Sequence, residues 1–427
     1  MERLRIIITG LIAQHPHMGG VAWDYVQYAL GLRLLEHDVF YFEDSGEWPY
    51  NLDGGKTGDD WAAPTPDWNL AHLSAIMKRF GLAERWAYRF PREDTWHGLS
   101  EKKRREVLGT ADLLINVSGT IEHPERYREI PRMAYIDSDP LFTQIKYLQK
   151  NSEFPPRVDV HDTHVSFGEA MSDKVPATGH RWLPTRHPMV LDEWRSTKPF
   201  REVYSTVMNW TSYKPISHNG TAYGQKDVEF RKFLHLPDKA APVRFEVALA
   251  NTNHINWQTD ASGYPDDVRE LLEQNPGLTP RDLLCKTGWG VVDPEIVCAG
   301  LDEYRNYIMS SKAEWSVAKN GYVKARTGWF SCRSCCYLAA GRPVVVQDTG
   351  FTDAIPAGEG ILVFSTPEEA VDCIRRVEND YARHARAARE IAAEYFDSRK
   401  VLASLVERAM TDDRSAAQQP EMMSSRS

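Results

Sequence analysis

Cysteine is missing from the first 284 residues, and the six that follow are Cys285, Cys298, Cys332, Cys335, Cys336 and Cys373. The opening MERLRIIITGLIA holds an apolar run far shorter than a membrane span and leads into a Gly-containing turn rather than a cleavage site. A disulfide framework is therefore not expected, and the cytosol is the expected compartment. Positive charge is also short: the formal net charge is −9 and the pI about 5.9. Gripping nucleic acid rewards basic surfaces through counterion release, so no nucleic-acid partner is expected. The absence of a fixed-period repeat excludes solenoids and propellers. No G-x-G-x-x-G turn with a later acid is evident, which argues against a plain nicotinamide enzyme.

What is present is enough chain for two cores, 427 residues of which 42% are apolar. RIIITGLIA, then HPHMGG, then AWDYVQYALGLRLLEH, then DVFYFE reads as strand, loop, helix, strand, a βαβ start that implies a parallel sheet. After a Trp-, Pro- and Gly-rich loop from Ser45 to Asn69, the buried strands ADLLINVS and RMAYID end in polar residues, where a site sits in such sheets. The pattern restarts after a Pro-rich crossover between Arg181 and Phe200, with EVYSTVMNW, VRFEVALA, AEWSVA and PVVVQD as further strands. The expected architecture is α/β, two Rossmann-like lobes facing a cleft. Residues 1–190 form the first, 191–385 the second, 386–410 a helix packing back on the first, and 411–427 a disordered tail.

Several residues point to chemistry. A helix starting at Ser331 leaves free N–H groups and a positive dipole end, suited to a diphosphate, with Arg333 as a fork-shaped cation beside it. Lys319 lies just beyond the strand AEWSVA, at the carboxyl edge where ligands of open α/β sheets bind. Asp137 and Asp139 end the strand RMAYID and are candidate catalytic carboxylates, with loop capping as their ordinary role. Cys332, Cys335 and Cys336 lack a second C-x-x-C and read as close packing of small residues, so no metal is expected.

The string TGWFSCRSCCYLAAGRPVVVQDTG, Thr327 to Gly350, resembles the donor-binding core of GT-B glycosyltransferases. The resemblance implies a nucleotide-sugar-dependent transferase, metal-independent and without a cofactor, using a UDP-, GDP- or dTDP-sugar and a small-molecule or glycan acceptor. It implies donor contacts from Gly328, Trp329, Phe330, Ser331, Arg333, Ser334, Thr349 and Gly350. The front turn resembles the family's Gly pair, which brings in Gly19 and Gly20. GTAYGQKDVEF resembles the loop with the phosphate-binding lysine, here Lys226. TGWGVVDPEIV resembles the nucleobase cradle, with Trp289 as stacking face and the Gly290 and Val291 backbone as hydrogen-bonding edge. His17 stands where inverting members often keep a base. The paired glutamates of many retaining members are missing, with Gly328 and Cys336 in their places, so stereochemistry does not carry over. A GT-B-shaped epimerase and a silent sugar-binding protein are the rival readings, and the Trp-rich loop is compatible with peripheral contact with a membrane.

Overall fold

The computed structural model describes residues 2–50, 62–149, 152–195, 200–250 and 263–411. The expected disordered tail falls outside them except for Thr411, which ends the helix Ser398–Thr411. Most of the Trp-rich loop, 51–61, also lies outside the described residues.

Eight strands make the first sheet: β1 (Arg5–Thr9), β2 (Asp38–Glu43), β3 (Trp86–Phe90), β4 (Thr95–Gly98), β5 (Leu113–Val117), β6 (Arg132–Asp137), β7 (Thr163–Ser166) and β8 (Trp182–Pro184). Their order is β4-β3-β2-β1-β5-β6-β7-β8, parallel throughout except the β3–β4 edge pair. A hairpin follows, β10 (Ile216–His218) with β11 (Thr221–Tyr223). The second sheet takes β9 (Arg201–Asn209), β12 (Phe245–Ala250), β13 (Gly290–Val292), β14 (Ser311–Ser316), β15 (Val344–Gln347) and β16 (Ile361–Phe364) in the order β13-β12-β9-β14-β15-β16, all parallel. In each sheet the first strand is central and the order reverses beside it, between β1 and β5 and between β9 and β14, which places ligand crevices at the carboxyl ends of those strands.

Local sequence explains these elements. The central strands are runs of branched apolar residues because both faces are covered by helices, as IIIT in β1 and VVV in β15. Thr366 and Glu369 close a capping box that starts the helix Pro367–Asn379. The helix Gly19–Leu34 is apolar around most of its circumference because it is covered from several sides. β1 lies beneath it, the helix Ser398–Thr411 crosses at Gly31 beside Leu402 and Ser398, and the second-lobe helix Leu301–Met309 lies against its start.

The last contact joins the lobes. One hydrophobic core runs from Ile6 and Ile8 through Trp23 and Trp194 to Tyr304, Phe330 and Leu338. Trp23 packs on Trp194 at a ring separation of 5.1 Å, and its indole N–H donates to the Leu301 carbonyl at 2.9 Å. A separate core fills the second lobe around Trp315, Trp289 and Phe230. Gly19 is what permits the close approach: a Cβ there would stand 1.9 Å from the Gly300 carbonyl oxygen. Gly19→Ala is therefore expected to lose about 1–3 kcal/mol by overpacking the seam. Gly109→Ala, in open helical surface with nothing within 4 Å of the new methyl, is expected to gain up to about 1 kcal/mol. Urea unfolding of the two variants checks the contrast.

Candidate donor site between the lobes

The helix Cys332–Ala339 begins in the cleft. Ser331 takes the N-cap conformation, yet its side chain makes no capping hydrogen bond, so the first N–H groups are not taken by the N-cap side chain. The turn before it is held rigidly. Gly328 adopts a φ of +74°, and a Cβ there would meet the Ala170 nitrogen of the first lobe at 2.4 Å. Its N–H donates to the Thr349 carbonyl at 2.8 Å, and the Thr349 hydroxyl donates to the Trp329 carbonyl at 2.6 Å.

Lys226 opens the short helix Lys226–Phe230, after β11. Burial first, then the charges of Arg333 and Lys319, hold its ammonium well below the usual lysine range. Among the described residues it has neither an ion pair nor a hydrogen bond. The neighbouring cations differ in this respect. The Arg333 guanidinium is bound to Glu314 at 2.6 Å and to the Val207 carbonyl at 2.6 Å. Lys319 is bound to Asp139 at 2.9 Å and to the Tyr213 hydroxyl at 2.9 Å. Lys226 is thus the cleft's amine without an acidic partner among the described residues, one that regains its proton and charge when an anion binds beside the helix start.

Several expectations are corrected by this geometry. Trp289 does not present a stacking face: it is 3% exposed, its ring lies among Phe230, Phe245 and Trp315, and its N–H donates to the Leu234 carbonyl. Gly290 and Val291, by contrast, lie in the edge strand β13 and pair with Glu246 and Val247 on one side only, which does not contradict their expected role as a hydrogen-bonding edge. Gly19 and Gly20 face Gly300 and Tyr304, and the Gly19 N–H is taken by the Cys298 carbonyl, so the pair serves the seam between lobes rather than a phosphate. Phe330 is a core ring between Phe351 and Phe396. Thr349 and Gly350 shape the turn, the latter at φ +90° with its N–H on Asp348. Ser334 is buried behind the helix start, and Trp329 stacks on Tyr322 at 4.5 Å.

The two carboxylates are also committed. Asp137 accepts hydrogen bonds from Thr143, Gln144, Ser166 and the Asp139 backbone, which occupies its lone pairs in a structural role. Asp139 is the first lobe's half of a clasp, accepting from Lys319, Tyr213 and Tyr322 of the second. Burial opposes its charge, but Lys319 and the two hydroxyls outweigh that and hold its carboxyl below the ordinary range.

His17 is exposed, at φ +60°, 6.0 Å from the Trp68 ring and 6.2 Å from His72. The loop that carries it is anchored from beneath by Glu43, which accepts from the Ala13 and Gln14 backbone and from the Tyr41 hydroxyl. Two exposed rings lie along the same loop, Trp68 against His17 and Tyr50 against His15 at 4.9 Å, and the neighbouring Met18 side chain is exposed as well.

Three groups that the sequence reading passed over lie around the helix start: Asp24 and His187 beside Cys332, and the buried Glu314 on Arg333. Asp24 and Glu314 had a legible signal, an acid inside an otherwise apolar helix or strand (VAWDYV, KAEWS). Burial raises the Asp24 carboxyl to about 6, against the opposing effects of Cys332 and Arg333.

Comparison with known proteins agrees with this architecture. Residues 269–407 match the family model described as glycosyl transferase-like. An alpha-glucosyltransferase solved with UDP-glucose and DNA containing an abasic site superimposes with a TM-score of 0.56 at 13% identity, covering 96% of this chain and all (100%) of that one. Anabaena HepE in complex with UDP-glucose gives a TM-score of 0.53 at 10% identity, over 95% of this chain and 99% of that one. No curated protein matches by sequence. The chain therefore has the GT-B fold of nucleotide-sugar glycosyltransferases. The family-model match falls in the second lobe and the C-terminal helices. Among the described residues no helix is long and apolar enough to cross a membrane.

Burial raises the Glu43 carboxyl from 4.5 to about 7. The folded protein then keeps a proton that the unfolded chain gives up, so this group's contribution to stability falls as pH rises from about 4.5 to about 7. Glu43→Gln is expected to flatten that part of the stability profile, as read from urea midpoints across the interval.

Proposed function

We propose that the protein is a glycosyltransferase that moves a sugar from a nucleoside diphosphate sugar to a glycan or small-molecule acceptor. The observation that carries this reading is Lys226, a buried amine without a protein partner among the described residues that an anion would return to its charged form, set near the start of the helix Cys332–Ala339, which Ser331 leaves without a side-chain cap. A leaving diphosphate needs positive charge and N–H donors where its own charge develops, and those two features supply both without a divalent ion. Arg333, already neutralised by Glu314, acts as a support for the helix start rather than as the primary phosphate ligand. Uridine diphosphate is the nucleotide favoured here, because both structural relatives were solved with UDP-glucose.

His17 is the proposed base toward the acceptor. It is exposed in the first βα loop and lies beside exposed aromatic rings that suit the apolar face of a sugar. The acceptor is placed among glycans and small molecules rather than DNA, the ligand of the alpha-glucosyltransferase relative, because this chain's net charge of −9 repels a polyanion. The proposed setting is the cytosol, in keeping with six free cysteines.

Calorimetry with UDP tests the donor site. Binding is expected to take up protons at pH values between the depressed Lys226 value and the ordinary lysine range near 10.4, because a bound anion restores the ammonium. Lys226→Ala is expected to weaken UDP by about 10- to 100-fold, the worth of a hydrogen bond to a charged group, and to abolish the proton uptake. UDP binding equally well to the variant would remove Lys226 from the site. A mass-spectrometric screen for slow, acceptor-free hydrolysis of UDP-, GDP- and dTDP-sugars then identifies the donor, and no turnover of any of them would count against a transferase.

A further inference from the structure

A group of side chains at the lobe boundary is not used by the donor chemistry. Asp24 comes from the helix Gly19–Leu34 of the first lobe, His187 from the crossover just after β8, and Cys332 from the first turn of the helix Cys332–Ala339 of the second. One ligand atom from each lies within 4.8 Å of the other two. We propose that these three residues bind a transition-metal ion with the ligand preferences of zinc, and that the ion ties the two lobes together at the crossover.

The donor set fits that ion. Thiolate, imidazole and carboxylate are the three side-chain types zinc takes, and three protein ligands leave a fourth position for water. Bonds of about 2.0–2.3 Å place tetrahedral ligand atoms about 3.5 Å apart, so small side-chain adjustments close the present spacing. The carboxylate and thiolate together balance a dication. On binding, the Cys332 Sγ–H bond breaks, its proton leaves to solvent and the sulfur lone pair forms the bond to the metal.

A second observation singles out the histidine. The His187 Nε2 is wholly buried and has no hydrogen-bond partner, a state that costs free energy unless something accepts or donates there. Its ring lies 3.8 Å from the Phe167 ring, tilted by 33°, and that contact holds the imidazole in place. The other cysteines of the same helix do not join the group: Cys335 and Cys336 point into the core at 0% and 2% exposure. The ligands are side chains that the diphosphate does not use, and cobalt binding is read without any nucleotide, so the proposal stands or falls apart from the donor site, whose first helical turn it adjoins.

Cobalt(II) titration of the full-length protein, first freed of metal with a chelator, tests it. One equivalent is expected to give a near-ultraviolet thiolate-to-cobalt band together with the intense visible bands of a four-coordinate site. Cys332→Ser is expected to abolish the near-ultraviolet band, while Asp24→Asn and His187→Gln lower cobalt affinity by at least about tenfold. Cys285→Ser, which alters an exposed cysteine, keeps both signals. No cobalt bands in folded wild-type protein, or a near-ultraviolet band that survives Cys332→Ser, would overturn the proposal. Should Cys332→Ser fail to fold, the other two variants decide: unchanged cobalt affinity in both overturns it.

Discussion

The lobes of this protein are joined by an apolar seam that tolerates no side chain at one position. Gly19 lets the helix Gly19–Leu34 approach the Gly300 backbone, Trp23 then reaches the Leu301 carbonyl, and Trp194 of the crossover packs on Trp23. Because that contact is both dry and hydrogen-bonded, it fixes the spacing of the cleft beyond it. The polar clasp of Asp139 with Lys319, Tyr213 and Tyr322 sits on the same boundary. Gly328 against Ala170 closes a further approach. Remove the close approach at Gly19, and the carboxyl edges of the two sheets no longer face one another at a fixed distance.

Within that frame the cleft sorts its cations by whether they have a counter-charge. Arg333 and Lys319 are matched by Glu314 and Asp139, and a buried matched pair does little for an incoming anion because its field is already cancelled. Lys226 is unmatched, burial disfavours its charged form, and an arriving anion restores it. The same logic explains why the turn from Thr327 to Ser331 is tied down, with the Gly328 N–H donating to the Thr349 carbonyl and the Thr349 hydroxyl to the Trp329 carbonyl. N–H groups act on a phosphate only if they are held in place beforehand.

Much of the fold was legible in the sequence, because branched apolar runs such as RIIIT and PVVVQD and a helix ending at Gly341 follow from local preference alone. The α/β class and paired lobes follow from that alternation. The site was less legible, since burial decides whether a ring or a charge is free, and burial is a property of the whole chain. Trp289 looked like a stacking face and is core; Arg333 looked like a phosphate fork and is neutralised by Glu314 from β14, whose identity as its partner depends on a strand–helix contact. Gly19 and Gly20 show the same limit from the other side, because a Gly pair marks a close approach without saying to what. Asp24 in VAWDYV and Glu314 in KAEWS were readable as acids where apolar residues were due, and weighing that signal would have found them.

A crystal structure of the protein with uridine diphosphate is the most direct test of the central claim, that the start of the helix Cys332–Ala339 and Lys226 together hold the donor's diphosphate. Phosphate oxygens are expected within hydrogen-bonding distance of backbone N–H groups in the first turn of that helix and of the Lys226 Nζ. A diphosphate bound elsewhere in the cleft, with Lys226 still unpaired, would contradict it.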